Sequence, residues 1–124
     1  MDTRSKILTL DAALQLPPPV TVVTGYFDVL RAEHVRDLQR ARALAPNLPL
    51  LAIVLPDTAP LLDQRARAEL VAALRVVDYV VTADDRDLDR IIAAFPPSQL
   101  VRLEAADQRR SRQLMEHVRS RQAR

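Results

Sequence analysis

One short stretch of the sequence combines a glycine with residues that can bind a phosphate. Gly25 is the only glycine among the 124 residues and directly follows an apolar run at 20–24. A glycine there indicates either a backbone turn that a Cβ atom would obstruct or a ligand close to the main chain. The helix predicted to start near Leu30 points its free N–H groups at the same place, which favours an anion. Many α/β domains have a glycine here for folding alone, so a phosphate site and a folding turn both stay open.

The elements that position these residues follow from the spacing of the apolar side chains. Short apolar runs without alternation predict buried strands, and apolar positions three and four apart predict helices with one buried face. The strands are predicted at 20–24, 50–55, 79–82 and 100–103. The helices are predicted around 35–45, 66–77, 88–95 and 107–121, after a short lead-in helix at 9–16. Asp84 or Asp85 is expected to cap the helix that contains Leu88.

The alternation of strands and helices predicts an α/β fold. We expect a Rossmann-like three-layer α/β/α domain with a parallel sheet of about four strands. The length suits one domain over 1–124, with a lead-in segment at 1–19 and a C-terminal helix and tail at 107–124. Ligands of open α/β sheets bind beyond the carboxyl ends of the strands, so function is expected directly after each strand. The strands end at Thr24, Leu55, Thr82 and Leu103.

Composition narrows the classes of protein. The absence of cysteine excludes disulfides, thiolate nucleophiles and cysteine-based zinc sites. No run approaches the ~20 apolar residues of a membrane span, and the start lacks the apolar core of a signal peptide. A cytoplasmic protein without a membrane partner is therefore expected. The net charge is only +2, and no aromatic residue separates the C-terminal arginines, so nucleic-acid binding is not expected. Those arginines are Arg109, Arg110, Arg112, Arg119, Arg121 and Arg124.

The longer string around Gly25 resembles a known family. Residues 22–30, Val-Val-Thr-Gly-Tyr-Phe-Asp-Val-Leu, are followed by Arg-Ala-Glu-His at 31–34. This resembles the cytidylyltransferase-like nucleotidyltransferases, whose pattern is a strand, Gly-x-Phe-Asp, and then His-x-Gly-His at a helix start. Residues 6–9 and the lead-in helix resemble the sugar-phosphate adenylyltransferase branch, which makes nucleotide-activated heptose. Further similar segments lie at 41–44, Asp57 and 67–81, and the resemblance covers roughly residues 6–95.

The resemblance implies transfer of a nucleotidyl group from CTP or ATP to a sugar or polyol phosphate. In that family the triphosphate lies across the turn, the second substrate attacks the α-phosphorus, pyrophosphate leaves and Mg²⁺ usually helps. It implies catalytic roles for His34 and Arg31, a homodimer, and no metal site built by the protein alone. It also implies nucleotide contacts from the turn and the last helix. These residues are Thr24, Gly25, Tyr26, Phe27, Asp28, Arg110 and Ser111.

Four departures from the family's pattern fall in this site. Arg31 stands where the first motif histidine belongs, and its guanidinium could still bind phosphate with a different geometry. Glu33 stands where the motif glycine belongs, and a like charge at ~4 Å from a phosphate costs on the order of 1 to 4 kcal/mol. Glu33 also fits a first-turn acid that complements the helix dipole. The family's loop lysine has no counterpart because Lys6 is the only lysine, and Arg65 is the nearest basic residue. The family's Lys-Gly-x-Asp-Tyr turn is missing after Phe95.

Three functions are therefore open. The first is a catalytically impaired relative with a structural, regulatory or partner-binding role, which the four departures favour. The second is an active cytidylyl or adenylyl transferase with a rearranged site that uses Arg31 and His34, together with Arg110. The third is a module that binds another phosphorylated ligand at the helix start. Phe27 and Asp28 do not separate the three, because Phe27 can pack under the turn and Asp28 can hold it by accepting backbone N–H groups.

Overall fold

A computed structural model describes residues 2–28, 30–58, 60–95 and 100–104, together with Glu116 and Arg119. The helices and strands alternate as the apolar spacing predicts. In chain order they are a 3₁₀ helix at Thr3–Lys6, β1 at Ile7–Leu8, α1 at Leu10–Leu14, β2 at Thr21–Gly25, α2 at Ala32–Leu44, β3 at Leu50–Val54, α3 at Gln64–Ala72, β4 at Tyr79–Thr82, α4 at Asp85–Ala94 and β5 at Leu100–Arg102.

The strands form one parallel sheet in the order β1-β4-β3-β2-β5. This confirms the predicted α/β class, but the described residues contain five strands where the sequence predicted about four. The additional strand is β1, which pairs with β4 through Ile7↔Val80 and Leu8↔Val81. Two residues are too few to show a periodic pattern, so the lead-in segment gave no sign that it joins the sheet.

Helices cover both faces of the sheet, which confirms the three-layer arrangement. Successive strand residues point to opposite faces, so neighbours such as Val22 and Val23 belong to different cores. On one face α2 and α3 pack with Leu38 and Val71 against the sheet. On the other face α1 contributes Ala13, α4 contributes Leu88 and Ile91, and Phe95 packs directly after α4. Burial of each large aliphatic side chain stabilises the fold by roughly 1.5 to 3 kcal/mol.

Polar side chains fix the starts of three helices. Thr9 accepts a hydrogen bond from the N–H of Ala12 at the start of α1, and Asp63 accepts one from Ala66 at the start of α3. Asp84 accepts one from Asp87 and caps α4, as predicted. Each of these bonds satisfies an N–H that has no partner within its helix.

The amino edge of the sheet is held by a separate polar cluster. The ammonium group of Lys6 donates to the carbonyl oxygens of Leu74 (3.1 Å) and Val77 (2.8 Å), which follow α3. Arg42 lies 2.6 Å from a carboxylate oxygen of Asp78, and the same oxygen accepts from the N–H of Leu50. Lys6 and Asp78 each directly precede a strand, so the cluster lies at the edge opposite to the predicted site.

The helix predicted at 107–121, with Arg110 and Ser111, lies outside the described residues apart from Glu116 and Arg119, which are helical. None of the described helices is long and apolar enough to cross a membrane.

Candidate functional site at the carboxyl edge

The turn after β2 lies at the carboxyl edge of the sheet, as predicted. Thr24 and Gly25 are the last residues of β2 and both are buried. Gly25 pairs with Val54 of β3, and its carbonyl oxygen accepts from the N–H of Leu55 (2.9 Å). Its φ is not positive. The strand itself therefore does not use the left-handed conformations that glycine favours, and obstruction by a Cβ atom and close approach of a ligand both stay predictions for this glycine.

The left-handed position of the turn is occupied by Phe27. Its φ is 51°, which an L-residue with a bulky side chain adopts only at a cost of about 1 to 3 kcal/mol. The ring is fully buried in the core under α2 and α3, and its centroid lies 5.9 Å from that of His34. Burial of an aromatic ring is worth more than the backbone strain, so the core holds the turn in this shape.

Asp28 ties the turn to the loop before α3. The side chain is nearly buried, and both carboxylate oxygens accept from the N–H of Leu61, at 3.0 and 2.8 Å. One of these oxygens also accepts from the N–H of Leu62 (2.9 Å). A buried carboxylate is stable when such donors surround it. Asp28 therefore holds two loops together, and both of its oxygens face backbone donors.

Arg67 binds the same two loops from within the core. It is 1% exposed, and it donates to the carbonyl oxygens of Tyr26 (2.7 Å), Leu55 (2.8 Å) and Leu62 (3.1 Å). These carbonyls belong to the turn after β2 and to the two ends of the loop after β3. Asp28 and Arg67 thus bracket the β3–α3 loop, one through its N–H groups and the other through its carbonyl groups. We call this pair the loop bracket.

The first turn of α2 closes with a reciprocal pair of hydrogen bonds. The N–H of Arg31 donates to Nδ1 of His34 (3.0 Å), and the N–H of His34 donates to the carbonyl oxygen of Arg31 (3.0 Å). The guanidinium has only donors, so it is the backbone of Arg31 that takes part in this capping box. Because Nδ1 accepts, the neutral ring carries its proton on Nε2. The buried His34 is therefore a helix-capping residue in the tautomer that donates from Nε2.

Arg31 and Glu33 face each other at the helix start. The guanidinium Nε of Arg31 lies 3.7 Å from a carboxylate oxygen of Glu33, and the side chains are 30% and 46% exposed. This separation is too long for a hydrogen bond, and the buried Nε–H has no acceptor among the described residues. An ion pair this exposed contributes about 0 to 1 kcal/mol. The two replacements in the motif therefore partly neutralise each other's charge.

A second carboxylate lies beside the turn. The buried hydroxyl of Thr24 donates to a carboxylate oxygen of Glu104, which follows β5. The other oxygen lies 3.2 Å from Nε of Arg102. The sequence pointed to the position after Leu103 as a functional edge, but Glu104 itself was not singled out. Strand pairing brings it there, because β5 lies directly beside β2.

The structure brings together part of the predicted set. Thr24, Gly25, Tyr26, Phe27, Asp28, Arg31 and His34 lie at one edge, whereas Arg110 and Ser111 lie outside the described residues. Lys6 lies at the opposite edge, and Arg65 is an exposed helix side chain 3.4 Å from Glu69.

Two residues at this edge were missed. The apolar spacing in 66–77 predicted a buried face through Leu70, which was wrong because Leu70 is 43% exposed. The buried face of α3 carries Arg67 with Ala68 and Val71 instead. Gln64, which donates to the carbonyl oxygens of Val54 (2.8 Å) and Ala83 (3.1 Å), had no signal in the sequence.

The carboxylates that contact the turn are bonded to protein donors, so a magnesium ion held there would share them with these hydrogen bonds. Mg²⁺ in phosphate sites is usually held by one or two carboxylates and the substrate. Asp28 and Glu104 each use both oxygens for the bonds described above. Within the described ranges, no three His, Asp or Glu residues form a group that could hold a metal ion. We therefore assign no step of a reaction to a metal.

Comparison with known proteins finds relatives that share one name. The chain is similar to the bifunctional protein HldE of several bacteria. It is 38% identical to that of Rhodopseudomonas palustris over 85 residues, which cover 63% of the chain and 17% of the relative. It is 31% identical to that of Helicobacter pylori over 109 residues, which cover 81% of the chain and 24% of the relative. No family model matches the chain.

The similarity has a defined extent. The protein from Citrifermentans bemidjiense is 30% identical over 115 residues, which cover 82% of the chain and 24% of the relative. The chain thus spans about a sixth to a quarter of the length of these relatives. The similarity supports the resemblance to cytidylyltransferase-like nucleotidyltransferases that the string around Gly25 indicates.

Proposed function

We propose that this protein is a nucleotidyltransferase-fold domain that is catalytically impaired and serves a structural, regulatory or ligand-binding role. Its relatives by resemblance transfer a nucleotidyl group from CTP or ATP to a sugar or polyol phosphate. The similarity to HldE proteins supports a relationship to the sugar-phosphate branch. The changes at Arg31 and Glu33 and the missing loop lysine are the reasons to propose that this activity is impaired.

The observation that carries the proposal is the position of Lys6. The family resemblance requires a lysine on a loop at the carboxyl edge, where it stabilises the charge that grows on the phosphates. The only lysine of the sequence lies at the amino edge, where it donates to the carbonyl oxygens of Leu74 and Val77. A strand rises about 3.3 Å per residue, so the two edges lie more than 10 Å apart along β2 and β3.

The contacts of the retained motif residues support the same proposal. Asp28 uses both carboxylate oxygens to hold the loop at Leu61 and Leu62. Phe27 fills the core. The retained half of the motif therefore has a structural use that does not depend on a nucleotide. Its persistence is consistent with a fold that is kept while the reaction is lost.

Nucleotide binding tests the proposal directly. We expect calorimetry with ATP or CTP and Mg²⁺ to show binding weaker than about 1 mM, or none, because Glu33 and Glu104 lie beside the turn. Micromolar affinity for either nucleotide would overturn the proposal.

One observation favours the active alternative. The Nδ1 atom of His34 accepts from the N–H of Arg31, so the neutral ring has Nε2 as its donor atom, which is the donor form that the resemblance implies for His34. If this alternative is right, pyrophosphate is released with some sugar or polyol phosphate in the presence of Mg²⁺, and release vanishes in His34→Ala. His117→Ala, at the other histidine of the sequence, is the control.

The remaining partners stay predictions. A homodimer follows only from the resemblance, and sedimentation equilibrium of the purified protein measures it. A cytoplasmic location and the binding of another phosphorylated ligand at the start of α2 are likewise proposals. Calorimetry with a panel of sugar phosphates, without nucleotide, tests the latter.

A further inference from the structure

Strand β5 lies directly beside β2, next to the turn that follows β2. β5 pairs directly with β2 through Val22↔Leu100, Val23↔Val101 and Thr24↔Arg102. The N–H of Leu103 then donates to the carbonyl oxygen of Thr24 (2.8 Å), which extends the pairing to the end of β2. Glu104 follows two residues after Arg102, the last paired residue of β5, whose partner is Thr24. The family resemblance implies a Lys-Gly turn after α4, and residues 95–99 contain neither lysine nor glycine.

Glu104 presents its negative charge to the turn. Its side chain is 17% exposed, and one carboxylate oxygen accepts from the buried hydroxyl of Thr24. The partner on the other side is Arg102, whose side chain is 53% exposed. The carboxylate therefore faces inward and the guanidinium faces water. Water screens the exposed positive charge more strongly, so the pair leaves a net negative field at the end of β2.

We propose that Glu104 determines the ligand specificity of this edge by excluding nucleoside triphosphates, together with Glu33. The bond to Glu104 occupies the Thr24 hydroxyl, which is one of the groups predicted to contact a nucleotide. A polyphosphate across the turn would approach the carboxylate that follows β5 and the first turn of α2, where Arg31 offsets part of the charge of Glu33. Each unit charge at about 4 Å lowers the affinity on the order of fivefold even at the dielectric constant of water. This inference rests on the proposed function, since it explains the loss of nucleotide binding.

The test removes one charge at a time. Glu104→Gln keeps the shape of the side chain and an acceptor for the Thr24 hydroxyl, and Glu33→Gln does the same at the helix start. Glu69→Gln, on the exposed face of α3, is the matched control for the change in net charge. Affinity for ATP and CTP with Mg²⁺ is measured by titration at about 20 and 200 mM salt, because salt screens the exposed charges. Circular dichroism checks each fold, and Glu104→Ala replaces the glutamine variant if that variant does not fold.

We expect Glu104→Gln to bind ATP at least about fivefold more tightly than Glu69→Gln at low salt, and the ratio to shrink at high salt. A ratio within about twofold at low salt overturns the inference. It is also overturned if the double variant at Glu33 and Glu104 shows no binding up to about 10 mM nucleotide. The proposed function fails on a different result, which is micromolar affinity of the unmodified protein. The ratio of the ATP affinities of Glu104→Gln and Glu69→Gln tests the inference whether or not the unmodified protein binds nucleotide.

Discussion

The two halves of the motif after β2 are held by different kinds of contact. The first half, Tyr26–Asp28, is fixed by the loop bracket, in which Asp28 and Arg67 bond the β3–α3 loop. In the second half, Arg31–His34, the described contacts at the helix start are a reciprocal pair of backbone and imidazole bonds and a long ion pair, and the His34 ring lies beside that of Phe27. Changes in the first half disturb two loops and the core beneath them. Changes at Arg31 and Glu33 disturb only the helix start.

This difference agrees with the proposed function. Gly25, Phe27, Asp28 and His34 match the family pattern, and the three that carry side chains have structural contacts that need no ligand. Arg31 and Glu33 depart from it, and both side chains are partly exposed. Under the proposed function, a residue that serves folding is kept, whereas a residue that only contacts the ligand is free to change. Four experiments test this comparison, from the largest expected effect to the smallest.

The largest effect is expected at Arg67. Arg67→Met keeps the length of the side chain but leaves the carbonyl oxygens of Tyr26, Leu55 and Leu62 without their donor. We expect the free energy of unfolding to fall by about 3 to 5 kcal/mol, measured by urea denaturation. The control is Arg65→Met, on the exposed face of the same helix, which should change it by less than about 0.5 kcal/mol. Equal effects of the two substitutions would show that the loop bracket does not hold the fold.

Asp28 comes next. Asp28→Ala removes the acceptor of the N–H groups of Leu61 and Leu62, and we expect a loss of about 2 to 3 kcal/mol in unfolding free energy. The exchange of those two amide hydrogens should accelerate while that of Ala52, in the centre of β3, follows only the global stability. Asp89→Ala, at an exposed position of α4, is the control. Unchanged exchange at Leu61 and Leu62 contradicts the role given to Asp28.

The backbone strain at Phe27 should make glycine more stabilising than alanine at this position, by a smaller amount of unfolding free energy than the two effects above. Phe27→Ala and Phe27→Gly both remove the buried ring and both destabilise the protein. The glycine variant should nevertheless be about 1 kcal/mol more stable than the alanine variant, because glycine adopts a φ of 51° without strain. Thermal and urea denaturation of the two variants measure the difference. The reverse order would mean that the turn relaxes once the ring is removed.

The second half of the motif should tolerate change best. The double substitution of Arg31→His and Glu33→Gly restores the family pattern at the helix start, and we expect unfolding free energy to change by less than about 1 kcal/mol. Weak nucleotide binding should appear, measured by calorimetry with ATP and Mg²⁺, while pyrophosphate release stays absent because no lysine reaches the site. A loss of stability as large as that of Asp28→Ala would remove the distinction between the two halves.

The sequence predicted the architecture well because burial dictates it. The apolar runs at 20–24 and 50–55 lie in the centre of the sheet, where neighbouring strands and helices cover both faces. Such positions accept few residue types, so the apolar pattern predicts the strands without a structure. The two-residue strand β1 was not predicted, because its pairing with β4 depends on a neighbour more than 70 positions away in the sequence.

The candidate site was only partly predictable. The string 24–34 identified the turn, and the carboxyl-edge rule placed it correctly. Neither could show that Asp28 faces the loop at Leu61, that the N–H of Arg31 bonds the ring of His34, or that Glu104 reaches Thr24. Each of these contacts depends on backbone positions set by the packing of distant elements.

The sequence by itself determined the fold class, the location of the turn and the identity of its unusual residues. It also determined that only one lysine exists, because composition needs no coordinates. The tertiary structure decided where that lysine lies and which polar groups of the turn are already bonded. The reason is physical: hydrophobic periodicity is written along the chain, whereas hydrogen bonds and charge pairs form between segments whose separation in space the chain order does not fix.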